Sequence, residues 1–246
     1  MAIMILERRC TGVLWQRSRS VVRHGERMRL LGAIVIMLIC SACNAAAFTS
    51  EVRCYIATGH TVRDEFLRTY DALGGLRSLG YPITEPLIQE GRTVQYFEYA
   101  RLEDHPDNPE GPVVKLSMLG ERLGRRQPPL DTHTIPPSGI PSVRYYPQTG
   151  HSLNGAFLDF FDLYGGMRRF GFPIGEPSLV DGQLVQDFQH IRLIWHARAV
   201  EGRNVTMEKS GYVYFTAQGL DERLLRPQPC PAGALVVESL GTGQAD

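Results

Sequence analysis

Residues 74–86 read GGLRSLGYPITEP and residues 165–177 read GGMRRFGFPIGEP, so the paired glycines, the Gly-x-Pro turn and the Glu-Pro step recur at a spacing of 91. The match extends outward without a gap. TGHTVRDEFLRTYDALGG (58–75) faces TGHSLNGAFLDFFDLYGG (149–166), and GRTVQYFEYARLEDH (91–105) faces GQLVQDFQHIRLIWH (182–196). Between Thr58 and His105, 21 of 48 positions are identical to their mates 91 residues on, which is the mark of an internal duplication. Weaker similarity resumes after an apparent insertion, where VVKLSMLGERL (113–123) faces YVYFTAQGLDERL (212–224).

Each unit has a physical reading. Thr61 or Ser152 is suited to cap a helix, because its hydroxyl can accept from the free amides of a first turn. Val62, Phe66, Leu67, Tyr70 and Leu73 then fall at helical spacing, as do Leu153, Phe157, Leu158, Phe161 and Tyr164. The helix should stop at Gly74-Gly75 or Gly165-Gly166. Next come Gly80 and Pro82, or Gly171 and Pro173, in a turn that no helix can continue through, followed by Glu85 or Glu176. The β-branched and aromatic stretches after Gly91 and Gly182 predict hairpin strands. The expected class is therefore α+β: a tandem pair of small units, each one helix, a Gly-Pro turn and a small antiparallel sheet. The boundaries on this reading are 54–124 and 145–225, with a proline-rich linker at 125–144 and a tail at 226–246.

The order GGL…GYP, then GRTVQYFEYARL, then VVKLSMLG resembles the LGFP-repeat family, and is similar to tandem modules appended to secreted bacterial proteins. The resemblance covers about 65 residues in each unit. It implies a cell-envelope module that binds or organises wall glycan, and in some members several repeats closing into a propeller-like ring. This chain has two recognisable copies.

The first 29 residues carry seven Arg against two Glu, and the apolar run Leu30–Ile39 and the small residues CSACNAAA follow. That order predicts an export signal over 1–47, with Met28 an alternative start. Two cuts fit: after Ala47, or before Cys43 as a lipid-anchored protein, the only membrane attachment expected. Either leaves Cys54 and Cys230 as a disulfide candidate in an oxidising compartment, the alternative being two separate thiols. Beyond residue 29 the chain is mildly acidic, which argues against nucleic acid as a partner.

The duplicated polar residues are His60/His151, Glu85/Glu176, Gln95/Gln186, Arg101/Arg192 and His105/His196. A carboxylate pair could serve a glycosidase and four histidines could hold a metal. An active site is seldom built twice in one small chain, whereas a fold built twice repeats its structural contacts. The expectation is thus a non-enzyme with neither metal nor cofactor. For the same residues two roles stay open. In one, Glu85 accepts turn amides, Arg101 pairs with a carboxylate and each His caps an element. In the other, Gln95, Tyr96, Tyr99 and Arg101, with Gln186, Arg192 and Trp195, line a groove for a wall or surface polysaccharide, since aromatic faces stack on sugar C–H patches while amide and guanidinium groups bond hydroxyls. An envelope scaffold that binds another protein is the main alternative function, and a degenerate glycan hydrolase the third.

Overall fold

The computed structural model describes residues 51–238 apart from 112 and 200–203; the expected signal segment, with Cys43, lies outside the described residues. The first half opens with the antiparallel pair β1 (Val52–Tyr55) and β2 (His60–Arg63), followed by α1 (Asp64–Ala72) and the short α2 (Leu76–Leu79). Strands β3 (Leu87–Gln89), β4 (Arg92–Tyr96), β5 (Arg101–His105) and β6 (Val113–Leu116) then form a four-stranded antiparallel sheet in chain order, and α3 (Leu119–Arg122) follows. The second half runs β7 (Val143–Tyr146), β8 (His151–Asn154), α4 (Gly155–Leu163), α5 (Gly166–Phe170), the sheet β9 (Ser178–Val180), β10 (Gln183–Asp187), β11 (Arg192–Trp195) and β12 (Val205–Met207), then α6 (Ser210–Ala217). A final strand, β13 (Leu235–Val237), returns to pair in parallel with β1. The fold is mixed α+β, with several small antiparallel sheets and six α-helices among the described residues.

Three expectations are corrected. Thr61 and Ser152 do not cap helices: they lie inside β2 and β8, and the helices begin at Asp64 and Gly155 without a side-chain cap. The ladders to β1 and β7 claim their backbone, and carboxylates claim their hydroxyls. Nor is there an insertion before the last helix. Leu193 pairs with Met207 as Leu102 pairs with Leu116, so VVKLSMLGERL corresponds to NVTMEKSGYVY (204–214), and α6 starts 91 residues after α3. Too few identities mark that stretch for the sequence to align it. Finally, the proline-rich segment 125–144 is more than a connector. Its end forms β7, while Gln127 donates its amide to Ile174 O and Leu130 donates to Gly150 O, tying it to the second half.

The helices fold onto the sheets through aromatic stacks. Tyr70 on α1 lies over Phe97 with ring centroids 5.1 Å apart, and Phe161 on α4 lies over Phe188 at 5.7 Å. All four rings are buried, and burying a side chain of this size stabilises the fold by roughly 1.5–3 kcal/mol. The tyrosine hydroxyl must keep a partner inside, and donates to Gly80 O at 3.0 Å. Gly80 and Gly171 have φ of 76° and 74°, and a Cβ on either would stand 2.7 Å from the Cβ of Glu98 or Gln189. Those two side chains grip the turn, accepting the amides of Tyr81 and Phe172. Only glycine satisfies both the backbone angle and the space.

A third buried cluster joins the halves, packing Ile83, Val94 and Tyr96 with Leu119 and with Tyr214 and Phe215 of α6. In return α3 docks on the second half: Gly120 donates its amide to Gln189 O at 2.9 Å. The helix that ends each half is seated on the other. Cys54 and Cys230 form a disulfide with Cα atoms 5.7 Å apart, fastening the returning C-terminal segment to β1.

Candidate functional site

The duplicated Glu, Gln and Thr/Ser residues converge in each half on one part-buried junction. The Glu85 carboxylate accepts from the Thr61 amide at 2.7 Å, the Thr61 hydroxyl at 2.6 Å and Arg63 at 3.3 Å, and the His60 ring lies 3.7 Å away. Glu176 likewise accepts the Ser152 amide at 2.7 Å and hydroxyl at 2.5 Å, with His151 Nδ1 at 3.3 Å. Burial alone would raise the Glu85 carboxyl, but His60, the two bonds from Thr61 and the charge of Arg63 outweigh it and hold the group below the usual carboxylate range. Gln95 donates to Thr61 O at 2.6 Å and to Thr84 O at 2.9 Å, and Gln186 to Ser152 O and Gly175 O at 2.8 and 3.0 Å. Each junction ties the second strand of the small hairpin to the turn and to the sheet.

This placement revises the groove. Gln95, Tyr96, Arg101 and Gln186 are all at most 1 % exposed, so none presents a surface to a polysaccharide. Arg101 donates to Glu103 at 2.6 Å and Ser117 at 2.8 Å, with its guanidinium carbon 5.6 Å from the centre of the Tyr96 ring. Tyr96 in turn donates its hydroxyl to Gln89 at 2.7 Å. The matching Arg192 makes a two-pronged pair with Asp187, at 2.8 and 3.0 Å, beside Glu208 and Arg125. Tyr99 packs against the second core. Both faces of β4 and of β10 are covered at their ends, where Val94, Gln95 and Tyr96, and Val185, Gln186 and Asp187, are consecutively buried, so a polar side chain on either face must find its partner inside.

Trp195 is different. Half-buried, it packs on the second core and lines an open cleft of about 610 Å³ with Leu179, Leu184, Gln183, His196 and Arg198. Leu179 pairs with Leu184 across β9 and β10, and Leu184 with Trp195 across β10 and β11, so an apolar row crosses the sheet. Side chains directly opposite on an antiparallel ladder share a face, which makes the row one apolar strip across the sheet. Gln183, Ala197 and Arg198 at its margin are exposed. In the first half the position 91 residues before Trp195 is Asp104, so the strip is particular to the second half. Leu179, Gln183 and Arg198 escaped sequence reasoning; the strand alternation around Trp195 was the signal that could have found them.

Among the described residues no group of three or more His, Cys, Asp and Glu is arranged to hold a metal ion, and no helix is long and apolar enough to cross a membrane. In comparison with known proteins, no family model matches the chain and no curated protein matches it.

Proposed function

We propose that the protein is an exported, non-catalytic module of the LGFP-repeat kind, built from two tandem related units, that binds a wall or surface polysaccharide through the Trp195 cleft. The observation that carries the binding reading is that cleft: a row of half-buried Trp195 and Leu184 and exposed Leu179 across the sheet, bordered by amide, imidazole and guanidinium groups. Sugars present C–H faces to stack and hydroxyls to bond, so this lining suits them. Support for two related units is the recurrence of α1 and α4, and of the β4–β5 and β10–β11 registers, 91 residues apart. The Cys54–Cys230 bond suits an oxidising compartment and so supports export. The engagement of both duplicated carboxylates in backbone and hydroxyl bonds supports a structural rather than catalytic role for them.

Sedimentation of the purified protein with isolated cell walls tests this. Retention is expected, released by soluble wall glycan and lost in Leu179→Asp, at an exposed position, and in Trp195→Ala measured well below that variant's own melting temperature. Retention that persists in Trp195→Ala would overturn the cleft assignment, and retention abolished by stripping wall protein would favour an adaptor instead. Hydrolysis of wall polysaccharide, lost in Glu85→Gln with folding intact, would refute the non-catalytic reading.

A further inference from the structure

A second cleft, of about 590 Å³, lies where α1 and β6 of the first half meet α5 of the second. Its charged lining is Arg68, Lys115 and Arg168, with no carboxylate; its apolar lining includes Leu73, Leu116 and Met118. Arg68 is engaged by Glu65 and Lys115 meets only the amide oxygen of Asn108, while Arg168 has no carboxylate partner among the described residues. The cleft shares Ala72, Leu73 and Arg168 with an adjoining hollow of about 300 Å³, whose wall includes Tyr164 and Arg169.

Arg169 is the second, independent observation. Its guanidinium reaches the carbonyls of Tyr164 at 3.0 Å, Arg77 at 2.6 Å and Ser78 at 3.3 Å, yet no carboxylate, and its Nε is buried without a hydrogen-bond partner among the described residues. Burial lowers its pKa to about 10, still leaving it charged at neutral pH. Arg169 also donates to the Met207 sulfur at 2.9 Å and lies over the Phe170 ring at 5.1 Å, so this half-buried cation is held by dipoles, a thioether and a ring face with no carboxylate, and a nearby anion would add the missing countercharge. The corresponding position in the first half is Ser78, so this unbalanced charge is not required by the fold common to both halves.

We propose that this cleft binds a small amphipathic monoanion of the carboxylate class, with its headgroup at Arg168 in the field of Arg169 and its apolar body along Leu73, Leu116 and Met118. Walls that combine aliphatic surface with uncompensated guanidinium select such a ligand over a neutral lipid, which leaves the charge unpaired, and over a bare small anion, which leaves the apolar wall wet. The site is separate from the Trp195 cleft and does not depend on it.

Calorimetric titration of the purified protein with decanoate, against decanol and acetate, tests the proposal. Decanoate is expected to bind and to raise the melting temperature, with decanol and acetate each at least about tenfold weaker. Arg168 is exposed, so Arg168→Glu should fold normally and weaken decanoate by about tenfold or more, while Trp195→Ala leaves it unchanged. Decanol binding as well as decanoate, or undiminished binding to Arg168→Glu, would overturn the assignment. So would the absence of decanoate binding.

Discussion

Gly120 lies against the carbonyl of Phe188, close enough that a Cβ on the glycine would stand 2.0 Å from that oxygen. The relationship is reciprocal, since a Cβ on Gly211 would stand 1.9 Å from the Phe97 carbonyl oxygen. Each glycine sits in the helix that closes one half, and each carbonyl belongs to the turn that follows the central strand of the other. Neither half completes its packing alone, so both clefts are held on one interlocked body.

Gly120→Ala and Gly211→Ala should therefore destabilise the protein through overlap alone, because neither glycine has a positive φ. Overpacking against backbone costs about 1–3 kcal/mol. Gly91→Ala is the comparison: its φ is +75° but nothing lies within 4 Å, so only backbone strain, on the order of 1 kcal/mol, is expected. Urea unfolding measures all three, and the interlock further requires one transition for both halves. Two resolved transitions in the native chain would contradict it.

Removing a junction carboxylate strands the groups that it serves. Glu85→Ala leaves the Thr61 amide and hydroxyl without their acceptor, at a cost of about 1–3 kcal/mol, and Glu176→Ala does the same to Ser152. Pairing Glu85→Ala with Thr61→Ala should cost less than the two singles added together, since both act on one contact. Additive losses in chemical denaturation would show that the contact carries little.

The disulfide closes a loop spanning 176 positions, so in the chain-entropy model its loss costs up to about 5 kcal/mol. Cys54 is fully buried and Cys230 exposed, which leaves one sulfur open to reductant. A Cys54→Ser, Cys230→Ser double variant should melt well below the parent, and so should reduced parent. Peptide mass mapping without reductant should recover Cys54 linked to Cys230; recovery of two free thiols would remove the basis of the prediction.

The turn and both hairpins were legible because they depend on residues with few conformational options. Gly80-x-Pro82 and Gly171-x-Pro173 fall where the chain turns, and Glu90-Gly91 and Asp181-Gly182 take positive φ at the hairpin tips. Helical spacing likewise pointed to Phe66, Leu67 and Tyr70. The failures share a cause, which is that partners distant in sequence decide the outcome. Thr61 reads as a cap until Val52–Tyr55 pairs with its strand, and for Gln95 and Arg101 a groove stays open beside a structural role until Thr84 and Glu103 are found to hold them inside. The Trp195 strip needs strand register, and the Arg168 cleft needs the contact between halves, neither of which local pattern contains.

Acid should expose the difference between the two matching arginines. Arg101 is neutralised by Glu103, whose side chain is 8 % exposed and also faces Arg92, Arg122 and His105. Burial works to raise the Glu103 carboxyl, but the bond and charge of Arg101, helped by Arg122 and His105, win and hold it below the ordinary range. A carboxyl depressed in the folded state binds its proton more readily once unfolded. The stability it contributes is therefore complete above the unfolded pKa of about 4.3 and is lost as pH falls through that value toward the folded one. Protonation would leave Arg101, 1 % exposed, as a buried cation with hydrogen bonds to Ser117 and Gln89 and the rings of Tyr96 and Tyr214 but no countercharge from Glu103. Arg192 differs in having both Asp187 and Glu208 within reach, so no single protonation strands it. Melting temperature measured from pH 7 to pH 3 should fall steeply at the acid end in the parent. Glu103→Gln should be less stable at pH 7 and should fall less steeply below pH 5. Parallel curves for parent and Glu103→Gln would show that the Arg101–Glu103 pair does not govern acid stability.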